Sequence, residues 1–145
     1  MPIVYNCGGY ESLEMLRFLE GTVDIYMPDA KYWDEEEARR YSAAPDYPDI
    51  MREALREMRR QVGNLDVVGG VARRGLLIRH LVMPGGVSGS RAILDFIAGE
   101  ISPARGSTSW TSTAPPTAPT SSRQSRASPR RRSSARPAST RRGLA

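Results

Sequence analysis

The sequence has one cysteine, Cys7, and one lysine, Lys31, among its 145 residues. A single thiol cannot form an intrachain disulfide, and it cannot supply the several thiolates of a structural zinc site or an iron–sulfur cluster. The chain also lacks any run of about 18 apolar residues, the length that a membrane span needs. No basic start followed by an apolar stretch marks a secretory signal. We therefore expect a cytoplasmic protein with no disulfide framework and no membrane partner.

Acidic residues are absent from the last part of the chain. All 16 of them precede Pro103, whereas the segment 104–145 contains nine arginines and no acid. The formal net charge of +5 therefore comes from this segment, and residues 1–103 are net acidic. A basic pI is thus no sign of a nucleic-acid surface on the folded part. The sequence predicts two parts, a folded region 1–103 and a disordered, Ser/Arg/Pro-rich tail 104–145.

The region 1–103 alternates apolar runs with segments of helical period, as α/β proteins do. The apolar runs predicted as strands are residues 2–5, 22–29 and 75–86. The segments predicted as helices are 11–20, 35–40, 45–63 and 88–101, with Asp34 as an N-cap and Gly63 as a helix end. The side chains expected to face the core are Leu13, Leu16, Phe18, Ile50, Ala54, Leu55 and Met58. This pattern predicts about three β/α units of a parallel sheet, and so few strands indicate part of a larger barrel or layered sheet.

Polar groups collect where the predicted strands end, which is where parallel α/β folds bind ligands. They are Asn6 with Cys7 and Gly8, Asp29 with Lys31, Arg79, and the Pro84-Gly85-Gly86 turn. Each also has an ordinary structural interpretation. Cys7 is typical of a small buried side chain, and His80 is typical of a satisfied histidine in a core or at its rim.

Two of these segments resemble motifs of one enzyme family. The stretch DIYMPDAKYWD, Asp24–Asp34, is similar to the Asp-x-Lys strand end of radical S-adenosylmethionine (SAM) enzymes of the pyruvate formate-lyase activating type. LLIRHLVMPGG, Leu76–Gly86, is similar to their Ile-Arg-x-x-x-x-Pro-Gly strand. The resemblance covers residues 2–103 and includes YNCGGYES. It implies a partial parallel (β/α) barrel of radical SAM type, from a family of iron–sulfur oxidoreductases and activases.

The resemblance also implies roles for particular residues. In that family the lysine matched by Lys31 and the arginine matched by Arg79 contact SAM, whose methionyl carboxylate suits an ammonium or a guanidinium. The aspartate matched by Asp29 helps to hold a monovalent cation and the cofactor, and the Met27 carbonyl is a second expected oxygen. Asn6 stands where the activase has an aspartate, which leaves a neutral side chain in the cation site.

One part of the family pattern is absent. The family binds a [4Fe–4S] cluster with a C-x-x-x-C-x-x-C loop after the first barrel strand, and this sequence has no such loop. By this comparison the chain begins midway through the barrel, and its partner is the missing N-terminal half that carries the cysteine triad. We therefore expect a fragment with no catalytic residue and no cluster ligand of its own, inactive alone. The substrate of the whole protein is an unknown protein or small molecule.

The tail 104–145 has two interpretations. It contains sixteen Ser and Thr residues and almost no large apolar side chain. Under the first interpretation the chain is a small non-catalytic α/β module whose basic arm binds nucleic acid or another acidic partner. Under the second, the reading frame shifts near Ala104, because Arg, Ser, Pro, Ala and Thr dominate when GC-rich coding DNA is read out of frame. Nucleic acid is then not an expected partner.

The shifted frame can be written out. Permitted codons for the segment 106–115 also encode Val-Asn-Val-Met-Asp-Gln-Tyr-Arg-Pro in another frame, which resembles the next strand and loop of the same family. Loss of one base from the Asp codon of CCC GAC ACG TGG GTC gives Pro-Ala-Arg-Gly-Ser, the residues Pro103 to Ser107. One missing base thus accounts for both the junction and the composition, and the sequence favours this interpretation.

Overall fold

The structure is a computed structural model and describes residues 1–102 and 110–113 of the chain. The strands are β1 (Val4–Cys7), β2 (Ile25–Ala30), β3 (Asp66–Val68), β4 (Val71–Leu76), β5 (Ile78–Leu81) and β6 (Trp110–Thr113). The α-helices are α1 (Leu13–Phe18), α2 (Glu35–Ser42), α3 (Tyr47–Val62) and α4 (Ser90–Phe96). A 3-10 turn spans Pro84–Gly86, and a π-helical turn, Ile97–Ile101, extends α4.

The six strands form one sheet in which every pairing except β3 with β4 is parallel. Strand β1 pairs with one side of β2. On the other side of β2, its first residues pair with β4 and its last residues pair with β5. Strands β4 and β5 therefore follow one another along the same edge of β2. Strand β6 then pairs with β5. The parallel strands therefore lie in chain order, which confirms the predicted α/β class.

The core lies between the helices and one face of the sheet. Helix α3 contacts β2, β4, α1 and α2, so it is the central helix of this layer. It begins with a proline at its second position and ends before Gly63, as predicted. Ala54, Leu55 and Met58 are fully buried as expected, whereas Ile50 is only partly buried and Met51 beside it is fully buried. In α1, Leu16 is buried but Phe18 is 83% exposed, and Leu19 packs against the core instead.

The third apolar run folds differently from the prediction. One strand over 75–86 was expected, but the run forms the end of β4 and all of β5, interrupted at Leu77, and strand structure ends at Leu81. Strand β4 begins upstream, at Val71, and makes an antiparallel hairpin with β3. Gly69 and Gly70 form its two-residue turn with positive φ angles of 59° and 79°. The Gly-Gly pair between valines is a hairpin signal that the sequence prediction overlooked.

Part of the predicted tail belongs to the sheet. The structure describes Trp110–Thr113 as β6, in parallel register with β5. This strand lies close to where the shifted frame predicts the next strand of the barrel. The other residues of 104–145 lie outside the described part of the chain. Among the described residues, the helices are all too short or too polar to span a bilayer.

Candidate functional site

The C-terminal end of β2 places an aspartate beside an arginine of β5. Asp29 is the register partner of Arg79 in the parallel pairing of the two strands. Arg79 Nε donates to Asp29 Oδ1 at 2.8 Å, and Nη2 lies 2.7 Å from the same oxygen. About a third of the Arg79 side chain and a quarter of the Asp29 side chain remain exposed. The pair is therefore aligned by the sheet and still accessible to a ligand.

Lys31 approaches the same carboxylate from the other side. Its Nζ lies 3.7 Å from Asp29 Oδ2, and 34% of the side chain is exposed. The ammonium lies over Gly8, where a Cβ atom would stand 3.8 Å from Nζ. Two cations thus flank one carboxylate, so the three side chains together carry a net positive charge. A depression of about 210 Å³ beside them is lined by Asp29, Arg79, His80 and Leu81.

The loop after β1 closes directly onto the end of β2. Gly9 has φ of +78°, and a Cβ atom there would stand 2.2 Å from the Asp29 carbonyl oxygen. Only glycine fits both the conformation and the contact. Tyr47, the first residue of α3, joins the two segments, since its hydroxyl lies 2.9 Å from the Gly8 carbonyl and 3.0 Å from the Asp29 carbonyl. The same hydroxyl accepts a hydrogen bond from the Lys31 amide at 3.1 Å.

Two other predicted residues share the face of the sheet that carries Asp29 and Arg79. Met27 is two residues before Asp29 on β2, and Asn6 is its register partner on β1. Because side chains alternate along a strand, both belong to the face opposite the helices, where Asn6 is exposed and Met27 is half-buried. Asn6 is level with Met27 rather than with Asp29. The structure therefore brings Asp29, Lys31 and Arg79 together and leaves Asn6 at the margin of the site.

Cys7 faces the helix side and packs against the core. Burial raises the pKa of its thiol to about 11, so the thiol is neutral at pH 7. A metal or cluster needs the thiolate. Within the part of the chain that the structure describes, no three His, Cys, Asp or Glu side chains come together as a metal site. These residues therefore do not fit a [4Fe–4S] cluster, and the Asp29 carboxylate is engaged by two cations rather than grouped with other acids.

His80 is a buried structural histidine at the edge of the site. It is 1% exposed, with Nδ1 at 2.7 Å from the Ala30 carbonyl and Nε2 at 2.8 Å from Ser90 Oγ. Both ring nitrogens therefore have partners, which confirms the ordinary interpretation of this residue. The contact to Ser90 ties α4 to β5. It fixes the strand that carries Arg79.

The sequence prediction overlooked Tyr47. Its segment was predicted only as a helix, and the preceding Pro45-Asp46 suggests no more than a helix start. Tyr47 is 4% exposed, with Tyr10 stacked on its ring and Tyr32 packed edge-on against it. No local signal shows that this hydroxyl reaches two strand ends 16 and 39 residues away. That contact depends on how α3 packs against the sheet.

Comparison with known proteins gives a similarity to an uncharacterized protein of Methanocaldococcus jannaschii, MJ0674. The identity is 29% over 99 residues, which are 68% of this chain and 25% of the relative. The chain therefore spans about a quarter of the length of the curated relative that it matches. No model of a known protein family matches the chain. No solved structure gives a significant match.

Proposed function

We propose that residues 1–103 are part of a radical SAM protein of the pyruvate formate-lyase activating type and contribute a subsite for the carboxylate of S-adenosylmethionine. The observation that carries this proposal is the position of Asp29, near the end of β2, between Lys31 and Arg79 of the neighbouring parallel strand. The two segments that resemble the family, Asp24–Asp34 and Leu76–Gly86, are the ones that supply these three side chains.

The charges at these strand ends suit an amino acid carboxylate. Arg79 approaches Asp29 with Nε and Nη2, and a guanidinium offers further N–H donors in the same plane. Lys31 adds a point charge beside the Asp29 carboxylate, which lines the depression. Asp29 holds both cations in place before a ligand arrives, so less side-chain freedom is lost on binding. A carboxylate placed between the cations would accept charge-assisted hydrogen bonds from both. We also propose that the Asp29 carboxylate and the Met27 carbonyl help to hold a monovalent cation.

The proposal assigns the remaining barrel and the [4Fe–4S] cluster to a separate partner, the N-terminal half with the cysteine triad. Among the strands that the structure describes, β1 pairs with β2 alone, and its first residue, Val4, and the preceding Ile3 are about half exposed. Further parallel strands added at this edge would continue the chain-order sheet toward a closed barrel. This chain offers only the neutral thiol of Cys7, so it holds no cluster and performs no catalysis alone. The substrate class stays open between a protein and a small molecule.

Binding of S-adenosylmethionine tests the proposal. We expect Lys31→Ala and Arg79→Ala each to weaken the affinity by about 1.5–3 kcal/mol, or roughly 10- to 150-fold, because each removes a charge-assisted hydrogen bond. Equilibrium dialysis of the full chain with labelled S-adenosylmethionine measures the effect. The same changes in a longer relative that carries both strand-end motifs should have effects of similar size.

The control is Arg73→Ala, which removes the same charge from an exposed position near Asp24, at the opposite end of the sheet. Its affinity should equal that of the unchanged chain. The assignment is wrong if Lys31→Ala and Arg79→Ala behave like this control, or if neither the chain nor the longer relative binds S-adenosylmethionine at millimolar concentration.

The composition of the segment 104–145 supports a second candidate, a non-catalytic module with a basic arm. Its nine arginines without an acid would bind phosphates with strong salt dependence. Under this candidate, the full chain should bind a DNA or RNA duplex at low salt. Its affinity should fall about 10³-fold or more between 50 and 200 mM salt. Removal of residues 104–145 should abolish binding. Filter binding measures all three. Absence of any complex at 50 mM salt excludes the candidate.

A further inference from the structure

We propose that Tyr47 is a positioning residue of the Asp29–Lys31 site, and that its hydroxyl sets where the Lys31 ammonium lies. This inference rests on the proposed function only for the identity of the ligand. The geometry involves one hydroxyl and three backbone groups, the Gly8 and Asp29 carbonyls and the Lys31 amide. The hydroxyl has one proton, so it donates to one carbonyl at a time while it accepts from the amide.

These contacts fix the backbone immediately before Lys31. The Asp29 carbonyl and the Lys31 amide belong to the two peptide groups on either side of Ala30, the last residue of β2. Strand β2 ends at Ala30, so the backbone that follows is held by the hydrogen bonds of the Tyr47 hydroxyl rather than by strand pairing. The bond to Gly8 holds the surface on which the ammonium lies. Loss of the hydroxyl would leave both the base of the lysine and the loop below it less constrained.

Tyr47 is itself rigidly held. Its ring centroid is 5.9 Å from that of Tyr10, with the planes 15° apart, and 5.5 Å from that of Tyr32, nearly perpendicular. Burial is the main cause that raises the pKa of its phenol, so the hydroxyl keeps its proton at any physiological pH. A rigid, protonated hydroxyl suits a fixed support for a binding group. Nothing in its geometry places it against a reacting atom.

A second buried tyrosine in the same core provides a matched control. Tyr26 is fully buried on β2, and its hydroxyl lies 2.7 Å from Gln61 Oε1, away from the strand ends. Tyr26→Phe and Tyr47→Phe each remove one hydroxyl and keep the ring packing. Both should lower the stability of the fold by similar small amounts. Only Tyr47→Phe removes contacts to the Asp29 and Lys31 backbone.

The single lysine makes the site directly observable. Reductive ¹³C-methylation of the full chain labels Lys31 and the terminal amine, and methylation keeps the lysine charge. We expect Tyr47→Phe to shift the NMR signal of the labelled Lys31 toward that of an unfolded lysine, whereas Tyr26→Phe leaves it in place. We also expect Tyr47→Phe to weaken S-adenosylmethionine binding about 5- to 10-fold, because a displaced Lys31 ammonium loses part of its charge-assisted hydrogen bond to the ligand, and Tyr26→Phe to leave affinity unchanged.

The outcomes separate this inference from the proposed function. If the Lys31 signal moves in Tyr47→Phe alone but no variant binds S-adenosylmethionine, Tyr47 positions the lysine and the assigned ligand is wrong. An unchanged Lys31 signal in Tyr47→Phe overturns the inference. Equal shifts in Tyr26→Phe and Tyr47→Phe also overturn it, because they indicate a general loosening of the core.

Discussion

Replacing Gly9 by alanine is expected to destabilise the chain by at least about 3 kcal/mol. Alanine in the left-handed conformation that Gly9 adopts costs about 1–2 kcal/mol. The added Cβ would also stand 2.2 Å from the Asp29 carbonyl oxygen, a backbone atom that Tyr47 holds in place. The loop must therefore move away from β2, which costs further free energy and opens the site. Urea unfolding followed by circular dichroism measures the loss.

Gly21→Ala is the matched control for this prediction. Gly21 has nearly the same φ, +80°, but a Cβ atom there meets nothing within 4 Å. Its substitution should cost only the conformational strain, about 1–2 kcal/mol. The difference between the two variants therefore measures the close approach of the loop to Asp29. Equal losses in both variants would show that the loop and the strand end are not in contact in solution.

Restoring one base near codon 104 is expected to replace the whole basic segment by the sequence of a further β/α unit. The DNA there should read close to CCC GCA CGT GGG TC, and insertion of an A after the first G of the second codon should give Pro-Asp-Thr-Trp-Val. That valine should begin the sequence Val-Asn-Val-Met-Asp-Gln-Tyr-Arg-Pro, followed by an amphipathic helix. The nine arginines of the present frame should largely disappear.

Sequencing the gene around codon 104 tests this expectation. A restored frame that meets stop codons within a few residues, or that has no apolar strand followed by a helical period, contradicts it. The basic segment would then be part of the functional protein, and the module with a nucleic-acid arm would be the better proposal. Strand β6 makes the result structurally informative, because the backbone of Trp110–Thr113 already pairs with β5 in the present frame.

The sequence by itself determined the α/β class, the parallel pairing of its apolar strands and most helix limits. Local chemistry decides these features. Asp34 caps α2 by accepting from the Glu36 and Glu37 amides, and Gly63 ends α3, each as the residue type predicts. Asp29, Lys31 and Arg79 could be predicted to lie in one region because ligand-binding groups of parallel folds collect near the strand ends, whereas the pairing of Asp29 with Arg79 comes from the register of β2 and β5.

Two errors of the sequence prediction concern local patterns. Phe18 follows the buried Leu16 by two residues, so the helical period itself places it on the opposite side of α1, in solvent. The hairpin of β3 and β4 was overlooked although Gly69-Gly70 marks its turn, because its short strands are mostly exposed and show no apolar alternation.

The candidate site also combines features that the sequence shows with features that only the tertiary structure decides. Its charged side chains are visible in the sequence, whereas their exact placement depends on two contacts that only the tertiary structure decided. One is the approach of Gly9 to the Asp29 carbonyl, and the other is the reach of the Tyr47 hydroxyl from α3 to both strand ends. The physical reason is that strand ends lose the hydrogen bonds of the sheet. Their geometry is then set by whichever neighbouring segments pack against them.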